Sequence, residues 1–250
     1  MSILKACGIT KIYSDKTVIK DVSLELNKGE IISLLGVSGS GKTTLFNCLS
    51  GILVPEEGSV TFHDEDITGK PGKISYMLQK DLLFSHKKII DNVSLPLVIK
   101  GINKKEARER AGEYFKEFGL LGTENKYPAM LSGGMRQRAA LLRTYLASDG
   151  VALLDEPFSA LDTITKSSIH NWFIDIMQHI DLSIVFITHD IDEAILLSDK
   201  ILILGGTPAH IVKEIELKEK KPRGEHFNLT EEFLNYKKQV IEALDVKNKD

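Results

Sequence analysis

The segment Gly36-Val37-Ser38-Gly39-Ser40-Gly41-Lys42-Thr43 is the strongest indication of how this chain folds. It follows an apolar run at residues 31–35, which predicts a buried strand, and it precedes a predicted helix at residues 44–50. The pattern G-x-x-x-x-G-K-T between a strand and a helix is typical of a loop that binds nucleotide phosphates. Glycines let backbone N–H groups turn toward an anion, and the helix N-terminus adds partial positive charge.

The polar residues of this motif are expected to hold a triphosphate and its Mg²⁺ ion. Lys42 would reach the β- and γ-phosphates, so we count it among the catalytic residues. The hydroxyl of Thr43 would bind Mg²⁺. The other expected nucleotide-binding residues of this region are Gly36, Ser38, Gly39, Ser40, Gly41 and Thr44.

The composition is that of an ordinary globular protein, with 250 residues and a formal net charge of -3. This length suits one large domain or two small ones. The negative charge argues against a nucleic-acid partner, and no apolar run approaches the roughly 18 residues that a membrane-spanning helix needs. Cys7 and Cys48 both fall in predicted strands or helices, and we expect both to be reduced thiols in the core.

The hydrophobic pattern changes twice along the chain. Alternating apolar positions in the first thirty residues, and again at 59–63, predict antiparallel strands. Residues 89–146 show the three- and four-residue spacing of helices. Apolar runs at 151–154, 184–187 and 201–204, separated by helical segments, predict a parallel α/β sheet. Asn228 is expected to cap a last helix.

Two acidic residues, Asp155 and Glu156, end the predicted strand at 151–154. In phosphate-loop nucleotidases such a strand lies beside the loop, and its terminal Asp holds Mg²⁺. Asp155 would take this role. Glu156 would then polarise the attacking water, an effect of about 10²–10⁴-fold in rate.

His189 and Gln79 also follow predicted strands. Ligands of α/β sheets bind outside the carboxyl ends of the strands, so these two side chains are expected at the same edge as Gly36 and Glu156. We count His189 and Gln79 as catalytic, with Gln79 as a polar sensor of the γ-phosphate or water.

Leu131-Ser132-Gly133-Gly134-Met135-Arg136-Gln137 predicts a second anion site. Ser132 is expected to cap a helix that runs toward Leu146, so that a hydroxyl, two glycines and a helix N-terminus meet. One nucleotide needs one phosphate-binding loop, so the second site requires an explanation.

The Leu131–Gln137 segment closely resembles the signature motif of the ATP-binding cassette (ABC) proteins, and the resemblance covers about residues 2–215. The other landmarks follow in the order of that family: Tyr13, the phosphate loop, Gln79, the signature, Asp155-Glu156, Ser159-Ala160-Leu161-Asp162 and His189. The resemblance implies an α/β fold: a P-loop NTPase (RecA-like) core with an N-terminal antiparallel β subdomain and an inserted α-helical subdomain. It also implies an ABC ATPase domain over 1–215, with the helical insert at about 85–147, and a short C-terminal helical tail over 216–250.

The same resemblance implies that each ATP site is built from parts of two cassettes. Cassettes of this family pair head to tail, so Ser132, Gly133 and Gly134 of one copy would complete the ATP site of the other. Tyr13 would stack on adenine, as aromatic rings do. Asp162 would join the nucleotide-binding residues, and Gln79 would join Thr43 and Asp155 as an Mg²⁺ ligand. ATP and Mg²⁺ are thus the implied cofactors.

Three segments narrow the resemblance to the ATPases of nitrate, sulfonate and taurine importers, whose close relatives also serve thiamine-precursor uptake. These segments are Met135, residues 157–162 and residues 188–194. The chain departs from that group at Ser85-His86, where Pro-Trp is frequent. The resemblance implies a dimer, formed with a second copy of the chain or with a different cassette, at the cytoplasmic face of the membrane. This dimer would be bound to permease subunits and served by an extracytoplasmic solute-binding protein.

Two other functions fit part of the sequence. A non-transport cassette could act on ribosomes or DNA, but such proteins usually carry tandem cassettes or a long coiled coil between the two phosphate motifs. A kinase or switch GTPase needs the phosphate loop but not the signature. An export-type permease partner is a variant of the transporter hypothesis.

Overall fold

The computed structural model describes residues 2–159, 163–221, 223 and 226–245. Its elements follow the predicted change from antiparallel strands to helices to alternating strands and helices. The strands in the described residues are β1 (Ser2–Tyr13), β2 (Lys16–Asn27), β3 (Ile31–Leu35), β4 (Glu57–Phe62), β5 (Glu65–Asp66), β6 (Ser75–Met77), β7 (Val151–Asp155), β8 (Ser183–Ile187), β9 (Lys200–Gly205) and β10 (His210–Glu216). The α-helices are α1 (Lys42–Leu49), α2 (Ile89–Val93), α3 (Leu95–Ile99), α4 (Lys104–Glu113), α5 (Gly133–Ala147), α6 (Thr163–Met177), α7 (Ile191–Leu197) and α8 (Glu231–Asp245).

A six-stranded sheet in the order β10-β9-β3-β8-β7-β6 forms the centre of the molecule. Its neighbouring strands are parallel except β10, which runs antiparallel to β9. All residues of β3 and β8 are buried, because helices and the second sheet cover both faces of a parallel sheet. The polar residues that follow β3, β6, β7 and β8 therefore leave the sheet at one edge.

The N-terminal strands form a separate antiparallel sheet in the order β2-β1-β4-β5. Ala6 on β1 faces the core, and Cys7, the next residue, is exposed. The expectation of two core thiols is therefore wrong for Cys7, because successive side chains of a strand point to opposite faces. Cys48, on α1, is buried as expected.

Helices α2 to α5 lie between β6 and β7 in sequence and pack beside the β6 edge of the large sheet. Phe115 and Phe118 from the stretch after α4 join Met77 of β6 and Leu154 of β7 in one apolar cluster. The predicted α/β fold, with its antiparallel N-terminal unit and its helical insertion, is confirmed.

Helix α8 packs Phe233, Tyr236 and Val240 into a third apolar cluster, together with residues of α7 and β9. Its first turn is capped by Thr230, whose Oγ1 accepts from the backbone N–H of Phe233 at 3.3 Å. The expectation that Asn228 caps this helix is wrong. Asn228 lies in a 3₁₀ turn, Phe227–Leu229, that ends before the helix begins. In the described part of the chain, no helix is both long and apolar enough to cross a bilayer.

Candidate functional site

The loop between β3 and α1 is shaped by three glycines. Gly39 and Gly41 have φ of +76° and +87°, a conformation that side chains rarely adopt. A Cβ on Gly36 would lie 2.6 Å from the carbonyl oxygen of Leu204 and 2.7 Å from Oγ of Ser40. Gly36 therefore lets the loop pass close to β9, and the two later glycines let it curl over the start of α1.

Lys42, the first residue of α1, folds back over this loop. Its Nζ donates to the carbonyl oxygens of Gly36 at 2.9 Å and of Val37 at 2.8 Å. Burial lowers the pKa of Lys42, while the nearby charges of Glu156 and Asp155 act in the opposite direction. The ammonium group thus sits inside the loop, where a phosphate would restore the solvation that burial removes.

Asp155, the last residue of β7, lies next to the loop in a partly dry environment. Burial and the charge of Glu156 raise the pKa of Asp155, whereas the hydroxyl of Tyr76 and the charge of Lys42 lower it. Tyr76 donates to Oδ2 of Asp155 over 3.4 Å from the neighbouring strand β6. A carboxylate that is costly to ionise in this place would be stabilised by a divalent cation. Tyr76 was not predicted as a site residue, although it is the one aromatic residue of β6.

Glu156, which follows β7, contacts residues that follow the neighbouring strands β6 and β8. Its Oε2 accepts from Nε2 of Gln79 at 2.9 Å, and its Oε1 lies 3.3 Å from Nδ1 of His189. Its φ of +46° is unusual for a residue with a side chain, and its backbone N–H donates to the carbonyl oxygen of Ile187. Ser159, which was not predicted as a site residue, accepts from Gln79 and donates to the carbonyl oxygen of Glu156.

The phosphate loop, Asp155, Glu156 and His189 line a cavity of about 620 Å³. A triphosphate with a divalent cation fits its chemistry on two observations. Among the described residues, the buried hydroxyl of Ser40 has no hydrogen-bond partner, and the ammonium of the buried Lys42 lies inside the loop. The lining residues are Val18, Gly36, Ser38, Gly39, Ser40, Gly41, Lys42, Thr43, Thr44, Asp155, Glu156, Ile187 and His189.

The second predicted anion site lies apart from this cavity within the same chain. Ser132 caps α5 as expected, because its Oγ accepts from the backbone N–H of Met135 at 3.3 Å. Ser132 is exposed, and neither it nor Gly134 lines the phosphate-loop cavity. Gly133 lines a neighbouring cavity of about 820 Å³ together with Gln79 and Glu156.

Tyr13 and Asp162 are the two remaining residues that were predicted to bind the nucleotide. Tyr13 is exposed near the end of β1, with the ammonium of Lys11 at 5.5 Å from its ring, and it is not among the residues that line the phosphate-loop cavity. Asp162, with Ala160 and Leu161, lies outside the described residues.

Arginines of α5 bind the segment that follows Gln79. Arg136 pairs with the carboxylate of Asp81 at 3.1 Å. Arg143 donates to the carbonyl oxygens of Asp81 at 2.6 Å and of Leu82 at 2.8 Å. The helix that begins at the signature and the segment after Gln79 are therefore joined through side chains, so a displacement of either one is resisted by the other.

Comparison with known proteins identifies relatives of one kind. The family model described as "ABC transporter" matches residues 19–159. The formylaminopyrimidine import ATP-binding protein ThiZ of Halalkalibacterium halodurans is 45% identical over 204 residues, which are 82% of this chain and 80% of ThiZ. The taurine import ATP-binding protein TauB of Yersinia pestis is 33% identical over 215 residues, which are 86% of this chain and 84% of TauB.

Two solved structures have the same fold. The ATP-binding cassette MJ0796, in a dimeric post-hydrolysis state bound to ADP and Pi, superposes with a TM-score of 0.73 at 29% identity, covering 87% of this chain and all of that one. The protein cbiO1 from Clostridium perfringens, part of the ABC transporter complex cbiONQ, superposes with a TM-score of 0.79 at 25% identity. That match covers 98% of this chain and 95% of cbiO1.

Proposed function

The chain belongs to the ABC transporter family, and we propose that it is the ATP-hydrolysing subunit that powers import through a separate membrane permease. The observation that carries the proposal is the contact of Glu156 with both Gln79 and His189 beside the phosphate-loop cavity. This arrangement joins a candidate general base to a phosphate-binding loop. A protein that only bound nucleotide would not need such a base.

The loop would hold the phosphates through its backbone N–H groups and Lys42. Thr43, Asp155 and Gln79 would hold Mg²⁺, which when bound would offset negative charge on the phosphate oxygens. Ser40 supplies a hydroxyl that has no hydrogen-bond partner in the part of the chain that the structure describes. These residues account for binding and orientation, and they leave Glu156 for the chemical step.

Glu156 is the residue in position to accept a proton from water. Each of its two carboxylate oxygens faces one neighbour, the amide of Gln79 or the imidazole of His189. These contacts fix the orientation of the carboxylate, which a general base requires. His189 is 62% exposed, so the imidazole keeps an open side toward bound nucleotide.

We further propose that a second copy of the chain completes each site. Ser132 and Gly134 do not line the phosphate-loop cavity of their own chain, and Ser132 is exposed and able to contact another molecule. The dimeric MJ0796 cassette supports this arrangement. Ser132, Gly133, Gly134 and Asp162 would then act across the dimer, and Tyr13 would receive the adenine ring.

The permease contact is proposed at the segment after Gln79 and the helices that follow it. Leu82 and Phe84 in this segment are 53% and 43% exposed, and Ile99 at the end of α3 is 76% exposed. Apolar side chains of this kind are typical of a protein interface. Binding there would place the ATPase at the cytoplasmic face of the membrane, with a solute-binding protein on the other side. The solute would be a small nutrient of the nitrate, sulfonate, taurine or thiamine-precursor type, as the relatives suggest.

The catalytic part of the proposal is tested with Glu156→Gln. This variant keeps the size and position of the side chain but removes the base, so we expect kcat to fall by about 10²–10⁴-fold while ATP still binds. Glu113→Gln, a change of an exposed carboxylate at the end of α4, is the matched control and should keep the wild-type kcat. Wild-type turnover by Glu156→Gln would refute the role of Glu156.

The transport part is tested by affinity purification of the chain from gently solubilised native membranes, with partners identified by mass spectrometry. Recovery of a multi-span permease supports the importer proposal, and recovery of the solute-binding protein would provide a reagent for finding the solute. Recovery of ribosomal or DNA-repair proteins instead would contradict transport and leave the ATP site unaffected.

A further inference from the structure

A buried network of charged and polar side chains contacts the residues on either side of His189 in the chain. Its centre is Glu193 of α7, whose side chain is 3% exposed. Oε2 of Glu193 accepts from the hydroxyl of Thr188 at 2.6 Å. Oε1 lies 2.9 Å from Nζ of Lys166 and 3.4 Å from Nε2 of His170, both on α6. The network therefore joins the end of β8 to α6 and α7.

The carboxylate of Glu193 is held in its ionised form. Burial acts to raise its pKa, but the contacts with His170, Thr188 and Lys166 outweigh burial and lower the pKa to about 2. A buried ion pair of this kind seldom stabilises a fold more than apolar residues of the same size would. Its presence beside the site therefore points to a role in geometry.

The hydroxyl of Thr188 holds the backbone on both sides of His189. It donates to Glu193, and it accepts from the backbone N–H of Asp190 at 3.0 Å. Oδ1 of Asp190 in turn caps α7 by accepting from the N–H groups of residues 192 and 193. The residues before and after His189 are thus fixed, and the imidazole projects from a rigid loop.

Lys166 of α6 contacts the same segment. It lies near the start of α6, and its ammonium also approaches Oδ2 of Asp190 at 3.4 Å. The charges of Asp190 and Glu193 together raise the pKa of Lys166 above its ordinary value although burial lowers it. Lys166 is therefore a cation that binds two carboxylates of the segment that carries His189.

We propose that Thr188, Glu193 and Lys166 are positioning residues that hold the imidazole of His189 against Glu156. This inference rests on the proposed function, because it acts through the role of His189 in hydrolysis. Without the network the loop after β8 would be free to rotate, and Nδ1 of His189 would leave Oε1 of Glu156, which lies 3.3 Å away.

The first test replaces the Thr188 hydroxyl by a methyl group of similar size. Thr188→Val removes the hydrogen bonds to Glu193 and Asp190, and we expect kcat for ATP to fall about tenfold with KM within about twofold of wild type. Thr188→Ser restores the hydroxyl and should restore kcat. The matched control is Thr123→Val, because Thr123 is equally buried and its hydroxyl donates to the carbonyl oxygen of Leu120, away from the site. The control should lose stability without losing kcat.

A double-mutant cycle with His189→Ala decides whether Thr188 acts through the histidine. We expect Thr188→Val to lower kcat in the wild-type background and to cause no further loss in the His189→Ala background. If the two losses multiply, the positioning inference is overturned and the role of His189 stands. If His189→Ala alone keeps the wild-type kcat, the assigned role of His189 fails and the inference falls with it.

Discussion

The side-chain amide of Gln79 donates to the carboxylate of Glu156 at 2.9 Å, so the loops that follow β6 and β7 are joined at the centre of the site. Gln79 also precedes the segment that Arg136 and Arg143 bind to α5. Glu156 is thus joined to Gln79, and the loop that carries Gln79 is bound to α5 two residues further on, at Asp81. A movement of α5 would therefore be transmitted to Glu156 through Gln79.

Glu156 has a left-handed backbone conformation, with φ of +46°. We therefore expect its side chain to be needed for hydrolysis but not for the stability of the fold. We expect Glu156→Gly to abolish hydrolysis without lowering stability, since glycine relieves backbone strain of about 1–2 kcal/mol. Urea unfolding and ATP hydrolysis should be measured on the same preparation. A loss of more than about 2 kcal/mol in unfolding free energy would show that the side chain of Glu156 supports the fold.

Arg143 is expected to hold the segment after Gln79 in place. Arg143→Met removes two charge-assisted hydrogen bonds to carbonyl oxygens, so the unfolding free energy should fall by about 2–3 kcal/mol. Trypsin should also cut faster in residues 80–88, which contain three lysines. Arg110→Met, which breaks an exposed ion pair with Glu106, is the control and should leave cleavage of this segment unchanged. Equal cleavage of both variants would contradict the role of Arg143.

Arg223 and Lys237, in the C-terminal part of the chain, both contact α7. We expect Arg223 to contribute more than Lys237 to the free energy of unfolding. Arg223 is buried and donates to the carbonyl oxygens of Ile195 and Ser198 at the end of α7. Arg223→Met should therefore cost about 2–4 kcal/mol in unfolding free energy, because buried carbonyls lose their donors. Lys237→Met breaks a half-exposed pair with Asp192 and should cost less than about 1 kcal/mol. The unfolding free energies of both variants are measured by thermal and urea unfolding. A larger loss in Lys237→Met than in Arg223→Met would contradict the prediction and show that α7 is held mainly at its start.

The buried network at Glu193 predicts a specific dependence of stability on pH. Because the pKa of Glu193 is lowered from 4.5 to about 2 on folding, its contribution is complete above pH 4.5 and is lost as the pH falls through about 2. About 2 kcal/mol of this contribution should be gone at pH 3. Glu193→Gln should lose less stability than wild type over this range, as measured by urea unfolding at pH 6, 4 and 3. Other carboxylates, such as Asp91, contribute equally to both proteins. Parallel curves for the two proteins would contradict the prediction.

The strand–loop–helix unit could be predicted from sequence because its glycines, lysine and apolar flanks are contiguous. The placement of Asp155, Glu156, Gln79 and His189 at one edge followed from a general rule for parallel sheets. Tyr76 and Ser159 could not be found in this way, because their hydrogen-bond partners are distant in sequence and become neighbours only through the fold.

The errors have local causes. Asn228 and Thr230 both carry an oxygen that can cap a helix, and the choice between them depends on where the preceding 3₁₀ turn ends. The exposure of Cys7 could have been derived from the strand period, because Ala6 beside it is buried. The network around Glu193 was not foreseen because a Glu on a short helix carries no sequence signal of burial.

Mixing two inactive variants tests the proposal that each ATP site is built from two copies of the chain. Lys42→Ala removes the phosphate-loop cation, and Ser132→Arg blocks the exposed start of α5. If the sites form across a head-to-tail dimer, a mixed pair contains one site with both parts intact. Random pairing then predicts recovery of about a quarter of the wild-type ATPase rate on mixing. No recovery on mixing, with both variants folded and exchanging partners, would contradict the claim.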